Sequence, residues 1–246
     1  MGDDQDPHGS LRRMLWIGGG QWAGKSTIAE LLAVEHGLTV YHYDFHDARG
    51  HRDRWIAERV AEGAPVVEPT ADRRWVERTP EEMAAETLAG FPARFAWVLD
   101  DLRALFTARP AIAEGWGLRP EAVAPLLDSP RRMVVLVPTE EFRQHQIRCL
   151  PRAGALGVAV GDPARAQANR VARDRLVAED AVRAARRLGI PVVEVDGTRD
   201  ASAVAALVGE QFAPYLPGPD CPPGQAWPGS ARPGPARPSG SAAAVR

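Results

Sequence analysis

Lys25 is the only lysine of this chain; every other member of its 30 lysine and arginine residues is an arginine. It stands in Gly19-Gly20-Gln21-Trp22-Ala23-Gly24-Lys25-Ser26-Thr27, which fits the spacing G-x-x-x-x-G-K-[ST]. In that pattern backbone N–H groups of a glycine-rich loop surround phosphate oxygens, the lysine reaches the β- and γ-phosphates, and the next hydroxyl ligates magnesium. A compact ammonium enters such a cradle as a point charge, whereas a planar guanidinium is too bulky for it. The whole segment is therefore the expected phosphate-binding loop, with Ser26 the expected magnesium ligand.

A second concentration of chemistry-bearing side chains follows in His42-Tyr43-Asp44-Phe45-His46-Asp47, with His51 just beyond. A carboxylate within hydrogen-bond reach of an alcohol can orient it and accept its proton as a new bond forms at oxygen. Asp44 is the expected bearer of that role, as general base or as anchor of a substrate hydroxyl. Asp47 is better suited to capping the helix that follows. The histidines and aspartates match no closed zinc spacing and read as a polar rim. Residues 47–108 carry Arg49, Arg52, Arg54, Trp55, Arg73, Arg74, Trp75 and Arg78. Arginine with tryptophan suits an anionic or planar molecule, through bidentate bonds and stacking. Trp22 and Trp116 are candidates for the same wall.

Groups so far apart in sequence need a scaffold to bring them together. Residues 14–17 are a short apolar run suited to a buried parallel strand, and residues 26–34 place Ile28, Leu31 and Leu32 on one helical face. Further strands are expected at residues 38–43, 110–115, 133–138 and 190–197, with helical patterns at 52–62, 80–108, 164–188 and 201–212. Strands alternating with helices predict a mainly parallel sheet with helices on both faces. Ligands of such sheets bind at the carboxyl ends of the strands. Asp44, Glu114 and Thr139 fall at those ends, on the same rim as the glycine loop. The long connection over residues 47–108 is expected to cover a second-substrate pocket. Residues 148–167, with Gly154, Gly157 and Gly161, are expected to form a flexible extension without regular periodicity.

With its parts in this order, the stretch 11–212 resembles the small P-loop kinases related to adenylate, shikimate and gluconate kinases. The resemblance is carried by the glycine loop, by Asp44 after the second strand, and by Asn169-Arg170-Val171-Ala172-Arg173-Asp174-Arg175, which leads to a strand closing in Val195-Asp196-Gly197-Thr198. It implies a three-layer αβα P-loop NTPase fold with a mainly parallel five-stranded sheet and a helical lid. It also implies an ATP-dependent, magnesium-requiring phosphotransferase whose acceptor is a small hydroxyl- or phosphate-bearing molecule. Phosphoryl transfer requires positioning and charge stabilisation more than covalent help. Arg170 and Arg173, three residues apart on one helical face, are implied to neutralise charge on the transferring group, while Arg175 points elsewhere, towards Glu179. Gly197 and Thr198 are implied to lie near the nucleotide base. Glu114 stands where many P-loop proteins carry an aspartate for a magnesium-bound water, so either Glu114 or Asp44 is expected to support the metal. A guanine-reading N-K-x-D motif is excluded by the lack of a second lysine, which favours ATP over GTP. A regulatory module or slow NTPase is the alternative, because this fold hosts both.

Composition sets the remaining limits. With 45% apolar and 25% charged residues, the chain has material for a sizeable core. A net charge of −2 points to neither a nucleic acid nor an anionic membrane as partner. Cys149 and Cys221 make no disulfide framework, which favours a reducing cytoplasm. The acidic N-terminus has no apolar h-region, and no apolar run is long enough to span a bilayer. Residues 1–10 and the Pro/Gly-rich residues 214–246 are expected to be disordered, leaving 11–213 as the folded domain.

Overall fold

The computed structural model describes residues 11–217 except 106, 108 and 155. The two expected disordered segments therefore lie outside the described residues over 1–10 and 218–246, as does Cys221. Ala213–Tyr215 form a 3-10 turn, and Tyr215 and Leu216 pack on the core.

The five strands β1 (Leu15–Gly19), β2 (Thr39–His42), β3 (Ala111–Glu114), β4 (Met133–Pro138) and β5 (Val192–Val195) form one sheet in the order β2-β3-β1-β4-β5. Every neighbouring pair is parallel. The first helix, α1 (Lys25–His36), follows β1. The β2–β3 connection holds α2 (Tyr43–His46), a π-helical turn (Asp47–His51), α3 (Arg52–Ala61), α4 (Ala71–Trp75) and α5 (Pro80–Ala104). Next come α6 (Pro120–Val123) before β4, then α7 (Glu140–Cys149), α8 (Pro151–Gly154) and α9 (Pro163–Arg187) between β4 and β5, and finally α10 (Ala201–Phe212).

Strand alternation divides the core into two layers. Trp16, Met133, Val135 and Val137 face α5 and α9, where Phe95, Val98, Ala178, Ala181 and Ala185 complete one cluster. Leu15, Ile17, Val134 and Leu136 face the other way, onto Ile28 and Leu32 of α1 and Val204, Val208 and Phe212 of α10. Burial on both faces is why these strands read as unbroken apolar runs. The result is the three-layer αβα arrangement of the P-loop NTPase fold. Helix starts follow capping chemistry: Thr79 and Glu82 form a reciprocal capping box before Pro80, and the Asp162 and Asp200 side chains accept N–H bonds at the heads of α9 and α10. Among the described residues no helix is long and apolar enough to cross a membrane.

Three expectations change. β2 stops at His42 rather than at Tyr43, so Asp44 lies in the first turn of a helix rather than directly at the end of the strand. The cause is Tyr43, which is fully buried against Gly115 and Gly117; a Cβ at Gly117 would sit 2.1 Å from the ring's Cζ. That helix continues through Asp47 to Ala61, so Asp47 is not an N-cap. Residues 148–167 are also more regular than their glycines suggest. α7, capped by Thr139, reaches Cys149, α8 follows at once, and α9 starts at Pro163, which leaves 156–162 outside helices.

Candidate active site

The glycine loop is shaped by what surrounds it. Gly19 holds φ 116°, and a Cβ there would lie 2.1 Å from the carbonyl oxygen of Leu136. The loop backbone therefore rests directly on β4, and Gly20 N–H donates to that same oxygen at 2.8 Å. Gly24 turns the chain into α1 with φ 78°, a left-handed conformation that costs glycine little. Trp22, at φ 66°, is the one non-glycine with positive φ among the described residues; strain of that kind gathers at functional loops. Lys25 is 5% exposed, and its Nζ donates to Gly20 O at 2.7 Å. Ser26 and Thr27 are exposed on the first turn of α1, whose N–H groups and dipole favour an anion at this end.

Parallel register supplies the acidic side of the rim. It sets Glu114 beside both Ile17 of β1 and His42 of β2. Glu114 is 1% exposed, and its Oε1 lies 2.8 Å from His42 Nδ1 while Oε2 is buried with no hydrogen-bond partner. The backbone of Trp116 lies close to Asp44 and draws its carboxyl downward, and Lys25, Glu114 and Asp47 are its charged neighbours. Crowding by protein raises the Asp44 carboxyl above the ordinary range, Lys25 opposes that shift, and Glu114 adds to it. The side chain still meets solvent, so the cause is crowding at the edge of a cleft rather than enclosure. Ser26, Glu114 and Asp44 offer the hard oxygen donors that magnesium takes, with waters and substrate phosphates completing such a shell. The unpartnered Oε2 of Glu114 fits that reading, since an orphaned buried acceptor is costly unless something electropositive faces it.

Arginines close the rim from α9. Arg170 donates to Ala153 O and places its guanidinium 5.7 Å from the Trp22 ring of the glycine loop. Arg173 is flanked by Trp75 and Trp116, 5.2 Å from each ring, with Nε 2.7 Å from Asp174 Oδ1. Arg175 points elsewhere and pairs with Glu179 at 3.7 Å. Two members of this cluster escape sequence reasoning. Asp174 is buried; burial raises its carboxyl pKa, and Arg173 and Arg170 pull the other way. Arg143 of α7 is buried with Nη1 unpartnered, and burial lowers its pKa against the pull of Glu140 and Asp174. The overlooked signal was Thr139-Glu140-Glu141, a cap with an acidic first turn that announces α7. Further along the rim, Gly197 (φ 83°) leaves room for Phe142, and Thr198 donates from N and Oγ1 to Asp196 Oδ1 at 2.9 and 2.7 Å. Those bonds hold the Asp196 carboxyl below the ordinary range.

A cavity of about 670 Å³ opens between the helices of the β2–β3 connection and α9, with Asp47, Trp116 and Arg173 in its wall. Asp47 Oδ2 lies 3.6 Å from Arg94 Nη1, so Asp47 serves the cavity. His51 sits in a structural cluster, where Asp101 gathers Tyr41 OH at 2.9 Å, His51 Nε2 at 2.8 Å and Arg54 Nη2 at 2.9 Å. Among the described residues no group of three or more His, Cys, Asp or Glu is placed to hold a metal ion.

Solved structures similar to this chain include two shikimate kinases. The enzyme from Acinetobacter baumannii in complex with shikimate aligns with a TM-score of 0.46 and 14% identity over 82% of this chain and 93% of that one. The enzyme from Aquifex aeolicus aligns with a TM-score of 0.42 and 15% identity over 81% and 96%. No protein-family model matches the chain, and no curated protein does. The fold class stands on the strand order and on the glycine loop between β1 and α1.

Proposed function

We propose that this chain is an ATP-dependent, magnesium-requiring phosphotransferase that moves the γ-phosphate of ATP to a small hydroxyl- or phosphate-bearing molecule. The observation that carries the reading is a shared wall. The backbone of Trp116 stands close enough to Asp44 to pull its carboxyl downward, and Trp116 and Arg173 also line the cavity beyond. The rim and the cavity therefore adjoin, an arrangement suited to two substrates meeting end to end.

In this reading the loop N–H groups and the head of α1 bind the phosphates of ATP. Lys25, hydrogen-bonded to a loop carbonyl, serves the β- and γ-phosphates. Magnesium, held by Ser26 with Glu114 or Asp44, would supply charge neutralisation at the phosphate oxygens. Arg170 and Arg173 neutralise charge that develops on the transferring group in a site closed to water. Asp44 orients an acceptor hydroxyl and takes its proton as the oxygen–phosphorus bond forms. Gly197 and Thr198 line the base, and the cytoplasm is the compartment that supplies ATP.

The test is magnesium-dependent ATP consumption with and without pooled nucleosides, nucleoside monophosphates, sugars, polyols and aminoglycoside or phenicol antibiotics. One pool should raise turnover well above the rate with water alone, and Asp44→Asn should abolish the increase while ATP still binds. ATP binding with no response to any pool would favour the regulatory or slow-NTPase alternative.

A further inference from the structure

The cavity's walls are unusual for their chemistry. Of the chain's seven tryptophans, Trp55, Trp75, Trp97 and Trp116 line this one space, all partly exposed. Trp16, by contrast, is fully buried in the core. A tryptophan used only for packing would be covered like Trp16. Four open indoles around one volume offer flat apolar area to a flat ligand.

Charge in the same walls is unbalanced. The lining arginines are Arg52, Arg74, Arg78, Arg94 and Arg173. Three of them are matched by lining carboxylates: Arg52 with Glu68, Arg78 with Glu86, and Arg94 with Asp47. Arg74 has no ion pair among the described residues. Arg173 gives only its Nε edge to Asp174, while Trp75 and Trp116 flank its guanidinium and no described residue bonds its Nη nitrogens. Two guanidinium groups thus face the cavity with hydrogen-bond capacity left over. Such forks bind carboxylate or phosphate oxygens in preference to neutral groups.

We propose, resting on the phosphotransferase reading, that the acceptor is an aromatic anion. Its ring system lies against the tryptophan walls, its carboxylate or phosphate is bound by Arg74, and its hydroxyl points to Asp44, with Arg173 left for the transferring group. A ligand of that kind uses both surpluses of the cavity, apolar planar area and positive charge. A sugar or polyol uses neither.

Calorimetric titration of the full chain without nucleotide tests this with four probes: hydroxynaphthoate, naphthyl phosphate, the neutral hydroxynaphthamide, and quinate, an aliphatic hydroxy acid. At least one aromatic anion should bind about tenfold or more tighter than both the amide and quinate, and the better of the two identifies the anionic group. Arg74→Gln, on an exposed position, should remove the advantage over the amide. Trp55→Leu should reduce the advantage over quinate. The proposal is overturned if quinate or the amide binds as tightly as the aromatic anions, or if neither aromatic anion binds. These readouts need no turnover, so a failure of the phosphotransferase reading shows separately, as aromatic anions that bind but do not accelerate ATP loss. Acceleration by quinate alone would keep that reading and sink this one.

Discussion

Lys25 and Asp44 have opposite demands placed on them by their surroundings. Lys25 is buried and, among the described residues, makes one hydrogen bond, to Gly20 O, so its ammonium is held at the loop. Lys25→Met should lower magnesium-dependent ATP turnover by about 100-fold or more, with an unchanged thermal melt showing that the fold survives. Lys25→Arg should restore little of that activity, because a guanidinium does not fit the cradle. Asp44 must be ionised to accept a proton, yet crowding raises its pKa against the pull of Lys25. Its proton-accepting form is therefore lost, as pH falls, at a higher pH than for a solvated aspartate, ordinarily titrating near ~4. The acid limb of the acceptor-dependent rate should lie above that value. In Asp44→Asn the limb should vanish from a residual rate reduced about 100-fold or more.

At the scale of elements, the contact between loop and sheet can be separated from backbone conformation alone. Gly19 and Gly37 both hold positive φ, but a Cβ at Gly37 meets nothing within 4 Å, whereas one at Gly19 meets the backbone of Leu136. Gly37→Ala should cost about 1 kcal/mol, the left-handed penalty at a helix C-cap. Gly19→Ala adds a backbone collision and should cost more than about 3 kcal/mol, in the range of severe strain. Urea denaturation of the two variants checks the difference directly. Helix boundaries carry the same lesson. The α5 capping box was written in adjacent residues, Thr79 to Glu82, and the pattern from Pro80 is a helix as expected. The turn of the chain at Tyr43 depends on two glycines more than seventy positions away, and nothing local announces it.

Across the whole molecule, α9 ties the parts together. Arg119, 2% exposed at the end of the β3–α6 connection, bonds Asp180 of α9 and Val177 O at 3.1 Å, and lies over the Phe91 ring of α5. Arg119→Ala removes this anchor and leaves the partly buried Asp180 with Arg183 alone, at 3.1 Å. The loss should be about 2–3 kcal/mol, below the fully buried case because Asp180 retains solvent. Hydrogen exchange should then show faster opening of α9 than of β1 or β4 if the arginine holds the helix to the body. The same helix reaches the acceptor side, where Asn169 Nδ2 donates to Trp75 O at 2.9 Å and Gly161 N–H donates to Asp72 Oδ1 at 2.7 Å. Residues on and just before α9 thus touch both the glycine loop, through Arg170 and Trp22, and the helices around the cavity.

The sequence by itself determined what is local: the glycine loop with Lys25 and Ser26, the apolar strands, the α9 arginines, and hence a parallel αβα sheet with the glycine loop on its rim. These follow from contiguous residues whose spacing matches one backbone geometry, even where, as at Gly19, a distant strand fills the space beside the loop. Only the tertiary structure decided how the rim is furnished. It paired His42 with Glu114 through parallel register, left Glu114 Oε2 without a donor, moved Asp47 from a supposed cap into the cavity wall, and set Arg173 between Trp75 and Trp116. Each of those contacts joins residues far apart in the chain, where register and packing, rather than periodicity, choose the neighbours.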